Sequence, residues 1–140
     1  MRSADRPGLR RWGLVPAAAL VLAGLAAGCS SKPAYCADAD QLKTSVQDLG
    51  NITVNVDDLG SVNTAVSKVQ ADANTFAADA KSAYPSQTTA LQNSLSSLQT
   101  AVKSAMSQPS LTTVAAVVSS VTQVKTAAGN VQTAVKGACQ

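Results

Sequence analysis

The side chains that could do chemistry in this chain of 140 residues are three cysteines and a small set of aspartates and lysines. The sequence contains no histidine and no glutamate. Without them it lacks the means to build a Ser-His-Asp or Cys-His nucleophile, most zinc sites or a glutamate acid–base pair. Aromatic residues make up only 3% of the chain, which leaves few rings for stacking on bases or sugars. We therefore expect no catalytic residues, no metal and no cofactor.

Cys29 follows a segment typical of a secretory signal. Residues 1–13 carry four arginines against one aspartate, and residues 14–27 form an uncharged run rich in Leu, Ala and Val. Fourteen such residues suit the apolar part of a signal peptide and are too few for a membrane span of about twenty. The run ends in Ala27-Gly28-Cys29, with small residues directly before the cysteine. This order resembles the lipobox of bacterial lipoproteins.

The resemblance implies a lipid anchor at Cys29. Lipoprotein processing attaches diacylglycerol to the Cys29 thiol and cleaves the chain after Gly28, and a further acyl chain such as palmitate on the new N-terminus strengthens the anchor. The chain then divides into a signal peptide (1–28), a lipid-anchored tether (29–35) and a helical bundle domain (36–140). We expect the protein to be exported and held on the outer face of the cytoplasmic membrane, with the membrane as a partner through lipidated Cys29.

Two alternatives to lipid anchoring remain open from the sequence. The segment is also compatible with an ordinary cleaved signal peptide, in which Cys29 has no role, or with an uncleaved helical anchor. The export route is open as well, because the paired Arg10 and Arg11 are compatible with both the general secretory and the twin-arginine pathways.

The remaining cysteines, Cys36 and Cys139, can pair in only one way within the chain. Oxidising conditions outside the cytoplasm favour a disulfide between them. It would close a loop of about 104 residues. Because such a loop restricts the unfolded chain, the disulfide would raise the free energy of unfolding by about 4–5 kcal/mol. A reactive thiol or a soft-metal pair is the alternative, but no histidine is present to assist either.

The formal charge of +3 belongs to the signal segment, because residues 29–140 carry seven lysines and seven aspartates. A neutral mature chain gives no reason to expect a nucleic-acid partner.

Apolar residues recur at alternating steps of three and four through most of the mature chain. The pattern predicts one short and three long helices, at residues 37–49, 58–84, 86–107 and 110–138. Pro85 and Pro109 separate the long helices. Residues 52–56 alternate like a strand, but one strand cannot form a sheet, so we expect an extended connector there. Asp57 and Asp58 are suitable N-caps for the second helix.

A 3-4 repeat is typical of coiled-coil-like bundle packing. The expected seam consists of small and medium apolar residues: Ala39, Leu42, Val46, Leu49, Leu59, Val62, Val66, Val69, Ala73, Phe76, Ala80, Leu91, Leu95, Leu98, Val102, Ala105, Val114, Val117, Val121, Val124, Ala128, Val131, Val135 and Ala138.

The two cysteines also constrain the number of helices. In an up-down-up-down bundle of four helices, the start and the end of the chain lie at the same end, which brings Cys36 beside Cys139. Three helices would separate them by a helix length, well beyond the roughly 4.4–6.8 Å between Cα atoms that a disulfide permits. We therefore predict an all-α fold, an antiparallel up-down bundle of one short and three long helices with its termini tied by a disulfide.

The mature part resembles small exported helical proteins of actinobacteria. These share an early cysteine, a C-terminal cysteine, and helices rich in Ala, Ser, Thr and Val like those at residues 42–50 and 91–102. The likeness implies fold and location and supplies no catalytic residues.

The sequence leads to three hypotheses for function. We expect a non-enzymatic, lipid-anchored cell-envelope lipoprotein that acts as a structural or partner-binding bundle, with an envelope protein as the possible partner. The alternative is a carrier of a small apolar ligand or lipid in a groove along the valine seam. An enzyme with an unrecognised Ser/Lys or Asp site is a third hypothesis. The spacing of the Ser, Lys and Asp residues along the sequence does not point to any catalytic arrangement. The sequence does not indicate which residues would bind a ligand, so these are unknown.

Overall fold

The structure is a computed structural model, and it describes residues 32–140. Four helices follow one another: α1 (Ala34–Asn51), α2 (Leu59–Ala80), α3 (Pro85–Ser107) and α4 (Leu111–Val135). They contain 18, 22, 23 and 25 residues, and the described part of the chain has no β-strand. The prediction of an all-α fold with one short and three long helices is confirmed. The predicted signal peptide and the predicted lipidation site, Cys29, lie outside the described residues.

The helices form a four-membered bundle in which each packs against two neighbours. Helix α1 contacts α2 and α4, and α3 contacts the same two helices, while within residues 32–140 no Cα atoms of a diagonal pair lie within 8 Å of each other. A disulfide joins Cys36 to Cys139 with 5.6 Å between the Cα atoms. Both termini of the domain therefore lie at one end, as an up-down-up-down arrangement requires.

The seam predicted from the 3-4 repeat forms the core, with two exceptions: Val114 in α4 and Ala138 after its end. All the expected positions of α1, α2 and α3 are buried, and so are six of those in α4. Val114 is only half-buried, because α1 ends about halfway along α4, where the side chain of Lys125 packs over Gly50. Ala138 is exposed, because α4 ends at Val135 and the chain turns. For these two residues the prediction of burial was wrong.

Helix α1 is longer at its N-terminus than the predicted span of 37–49. The helix starts directly after Pro33, whose carbonyl accepts a hydrogen bond of 3.0 Å from the Cys36 N–H. Ala34 and Tyr35, which we expected to lie in the tether, are therefore helical.

The connector between α1 and α2 has no strand conformation, as expected. The side chains of Ile52 and Val54 pack against the core. This segment thus covers part of the seam of the bundle beyond the end of α1. A short first helix and an apolar connector together fill the fourth position of the bundle.

The helix termini correct two details of the sequence analysis. Asp58 occupies the N-cap position of α2, but its carboxylate accepts a hydrogen bond from the Ser61 hydroxyl and not from a backbone amide. Ser110 caps α4 through a reciprocal pair, in which its hydroxyl accepts from the Thr113 N–H at 3.2 Å and its own N–H donates to Thr113 Oγ1 at 3.0 Å. Sequence inspection missed this cap because a threonine replaces the usual Glu or Gln.

Candidate functional site

The two ends of the bundle expose different kinds of side chain. We call the end that holds Cys36 and Cys139 the disulfide end, and the opposite end, where α3 turns into α4, the distal end. The N-terminus of α1, the α2–α3 turn and the C-terminus of α4 lie at the disulfide end. The α1–α2 connector leads into α2 at the distal end.

At the disulfide end, Tyr35 and Tyr84 pack edge to face. Their ring centroids are 5.4 Å apart with an interplanar angle of 82°, an arrangement that the ring quadrupoles favour. Both side chains are half-buried and rest on the core. Interaction with the Tyr84 side chain raises the pKa of Tyr35. The pair ties α1 to the α2–α3 turn, while the disulfide ties α1 to the end of α4.

A shallow groove of about 340 Å³ lies beside the disulfide, between α1 and α4. Its lining mixes the charged residues Asp40, Lys43 and Lys136 with backbone and alkyl surface. Next to it, the Gln132 amide donates a hydrogen bond to the carbonyl of Ala39 and links the two helices. The Thr133 hydroxyl in its lining donates to the carbonyl of Gly129, and no hydrogen bond joins it to Asp40, Lys43 or Lys136.

The carboxylates of Asp72 and Asp79 on α2 lie near Asp38 where α1 packs on α2. Burial and the neighbouring carboxylates of Asp79 and Asp72 raise the pKa of Asp38. One oxygen of Asp38, Oδ2, is buried without a hydrogen-bond partner. Asp72 is engaged by Lys68 at 3.1 Å, the one ion pair within residues 32–140. Asp38 therefore destabilises the interface between α1 and α2.

Asp38→Asn is expected to stabilise the protein at pH 7. The folded-state pKa of Asp38 lies above its unfolded value, so the folded state binds more protons and stability falls as pH rises between those two values. An asparagine removes the repulsion and offers an N–H to Asp79, a gain on the order of 1 kcal/mol. Thermal unfolding of both proteins at pH 3 and pH 7 would measure this.

The matched control for this substitution is Asp40→Asn, on the same helix but exposed. It should leave the melting temperature nearly unchanged at both pH values. The difference between parent and Asp38→Asn should shrink in acid, where Asp38 is protonated. A variant less stable than the parent at pH 7 would contradict the assignment of repulsion at this site.

The distal end carries the exposed large apolar side chains of the described chain. They are Val56 in the connector, Met106 near the end of α3, and Leu111 and Val118 in the first turns of α4. Leu111 is 86% exposed, whereas the other three are between 41% and 49% exposed. No charged residue occurs from Ser104 to Val124, so the apolar surface of α4 has no charged neighbour on its own helix before Lys125.

The interior of the bundle is filled by side chains. Phe76, Leu42, Leu98 and Val102 are each 0% exposed, and the groove that runs along α3 and α4 is lined by outward-facing residues such as Ser94 and Thr122. Within residues 32–140, no group of three or more Cys or Asp side chains is arranged to hold a metal ion. None of the described helices is long and apolar enough to cross a membrane.

Of the predicted site residues, Cys36 and Cys139 are brought together, and Cys29 lies outside the described residues. The tyrosine pair, the carboxylate cluster and the distal apolar residues were not predicted from the sequence. Comparison with protein-family models, with curated proteins and with solved structures finds no match to this chain.

Proposed function

We propose that this protein is a non-enzymatic lipoprotein, anchored through Cys29 to the outer face of the cytoplasmic membrane, whose bundle binds a partner in the cell envelope. The observation that carries the proposal is the position of the exposed apolar residues relative to the tether. Cys29 precedes Cys36 by seven residues, and Cys36 is fixed at the disulfide end. Leu111 begins α4 at the distal end, a helix of 25 residues and therefore about 38 Å long. The start of the described domain and the exposed apolar residues therefore lie at opposite ends of the bundle.

The distal residues support binding to a protein better than a purely structural role. Single exposed apolar side chains are ordinary on protein surfaces. Here the four large ones found among residues 32–140 all lie at one end. Three of them, Met106, Leu111 and Val118, lie on a stretch of α3 and α4 without charge. Covering a fully exposed leucine is worth about 1.5–3 kcal/mol, so the distal end gains most from a partner with an apolar face.

The carrier hypothesis has less support from the described residues. It requires a continuous cavity along the valine seam, yet Val62, Val69 and Val131 are 0% exposed and pack within one core cluster. The grooves beside the disulfide and along α3 and α4 lie on the outside of the bundle. We therefore favour partner binding.

Leu111→Lys is expected to weaken partner binding about tenfold or more without destabilising the bundle. Leu111 makes little contact within the domain, so its replacement affects only the contact with a partner. Burial of the leucine side chain against that partner is worth about 1.5–3 kcal/mol, which corresponds to at least about a tenfold change in affinity. The measurement is chemical cross-linking of the anchored protein in intact cells, with cross-linked envelope proteins quantified by mass spectrometry.

Thr126→Lys is the matched control, because it adds the same charge at an exposed position in the other half of α4. It should keep the cross-links of the parent, and both variants should melt at the parent temperature. Equal cross-linking of the parent and Leu111→Lys, or a turnover activity without any partner, would contradict the proposal.

A further inference from the structure

We propose that the disulfide end of the bundle lies against the headgroup region of the membrane, with Tyr35 and Tyr84 as its contact with lipid. This inference rests on the proposed lipid anchor at Cys29. It adds an orientation and a second, non-covalent contact with the lipid surface. Three observations carry it: the length of the tether, the placement of the aromatic rings and the balance of charge at this end.

The tether is too short to lift the bundle away from the lipid. Helix α1 begins at Ala34, so only residues 30–33 separate Cys29 from the folded domain. Five steps of the chain span at most about 17 Å when fully extended, whatever conformation these residues adopt. The headgroup region of one leaflet is about 5–8 Å thick. The first turn of α1, which contains Tyr35 and Cys36, is therefore held within one helix diameter or so of the headgroups.

The aromatic rings of the mature chain are placed for an interfacial contact. Residues 29–140 contain three aromatic side chains, and Phe76 is fully buried in the core. The other two, Tyr35 and Tyr84, are partly accessible and both lie at the disulfide end. Tyrosine has an apolar ring and a polar tip, which is why it is enriched where hydrocarbon meets water. Their edge-to-face packing fixes both rings before they meet lipid, so little ordering entropy is lost on contact.

Charge at the disulfide end neither favours nor opposes the contact. Four lysines lie near it, opposed by four aspartates: Lys32, Lys43, Lys81, Lys136, Asp38, Asp40, Asp72 and Asp79. A balanced set gives no net attraction to anionic headgroups. The contact should therefore form on zwitterionic lipid and should be insensitive to salt, which separates it from electrostatic adsorption.

Tryptophan fluorescence can test the orientation directly, because residues 29–140 contain no tryptophan. Tyr35→Trp and Tyr84→Trp place a reporter at the disulfide end, and Leu111→Trp places a matched reporter at the distal end. The lipidated proteins are reconstituted into phosphatidylcholine vesicles with and without brominated phosphatidylcholine. We expect a loss of emission on the order of twofold for both tyrosine variants, unchanged by salt, and no loss for Leu111→Trp.

The outcomes separate this inference from the anchoring on which it rests. Flotation of the protein with the vesicles and the mass of the acylated Cys29 peptide report anchoring independently of the fluorescence. If the protein floats but both tyrosine variants are quenched no more than Leu111→Trp, the orientation is wrong and the anchor stands. If Cys29 carries no lipid and the protein does not float, the proposed function itself fails. Two reporter positions ensure that a packing defect in one variant does not decide the result.

Discussion

Replacing Cys36 and Cys139 together by serine is expected to lower the free energy of unfolding by about 3–5 kcal/mol and the melting temperature by about 10–20 °C. The two cysteines are 103 positions apart, so the disulfide closes almost the whole domain and restricts the unfolded chain strongly. Without it, α1 would be held to α4 by side-chain packing and the Gln132 hydrogen bond. The core consists of Val, Ala and Leu around one phenylalanine. A domain of this size with such a core has a modest free energy of unfolding, so the loss of the disulfide has a large effect.

Reductant provides the internal control for this prediction. Thermal unfolding followed by circular dichroism should show that reductant lowers the melting temperature of the parent to that of the double variant. The double variant itself should not respond to reductant. A double variant that melts with the oxidised parent would mean that the disulfide contributes nothing to stability.

Cys29→Ser is expected to abolish acylation of the protein completely. In the proposed function the thiol of Cys29 is the only lipid attachment point that processing requires, so a serine leaves the precursor unmodified and uncleaved. Metabolic labelling with an alkyne fatty acid, followed by gel mobility, would measure both effects. The variant should carry no label and should migrate as the full-length chain.

Cys36→Ser is the matched control, because it removes a thiol only seven residues away. It should retain the full label and the mobility of the processed form. Label that persists in Cys29→Ser, or a parent protein without label, would contradict lipid anchoring. Retention of the signal segment without label in the parent would favour the uncleaved helical anchor.

The sequence was sufficient to predict the parts of the fold that follow from local periodicity. The steps of three and four placed Leu42, Val69 and Leu98 in the core, because a helix with such a repeat has one apolar face. The cysteine pair then selected four helices over three, since only an even number of passes brings Cys36 to Cys139.

Features that depend on the register between helices were not predictable. The meeting of Asp38 with Asp79 requires the offset of α1 against α2, which periodicity within each helix does not give. The half-exposure of Val114 follows from where α1 stops beside α4. The tyrosine pair depends on the start of α1 at Ala34, which Pro33 sets and which the apolar pattern from residue 37 onward does not reveal.

The exposed apolar residues at the distal end were also not predictable from the sequence. Hydropathy alone would place Leu111 inside, because leucine at the start of a helix usually joins the core. Its exposure follows from its position in the first turn of α4, beyond the level that α1 reaches. The sequence predicts a lipid attachment at Cys29, and the bundle geometry was needed to distinguish the proposed attached end from the proposed binding end.

Intact mass spectrometry of the protein isolated from its native membrane, with and without reductant, tests the central claim most directly. The claim is that a disulfide-closed bundle is held at the membrane by a lipid on Cys29. We predict the mass of residues 29–140 with a diacylglycerol group and any further acyl chain, and an increase of two hydrogen masses on reduction. A mass that begins at Met1 without lipid, or one that does not change on reduction, would contradict the account.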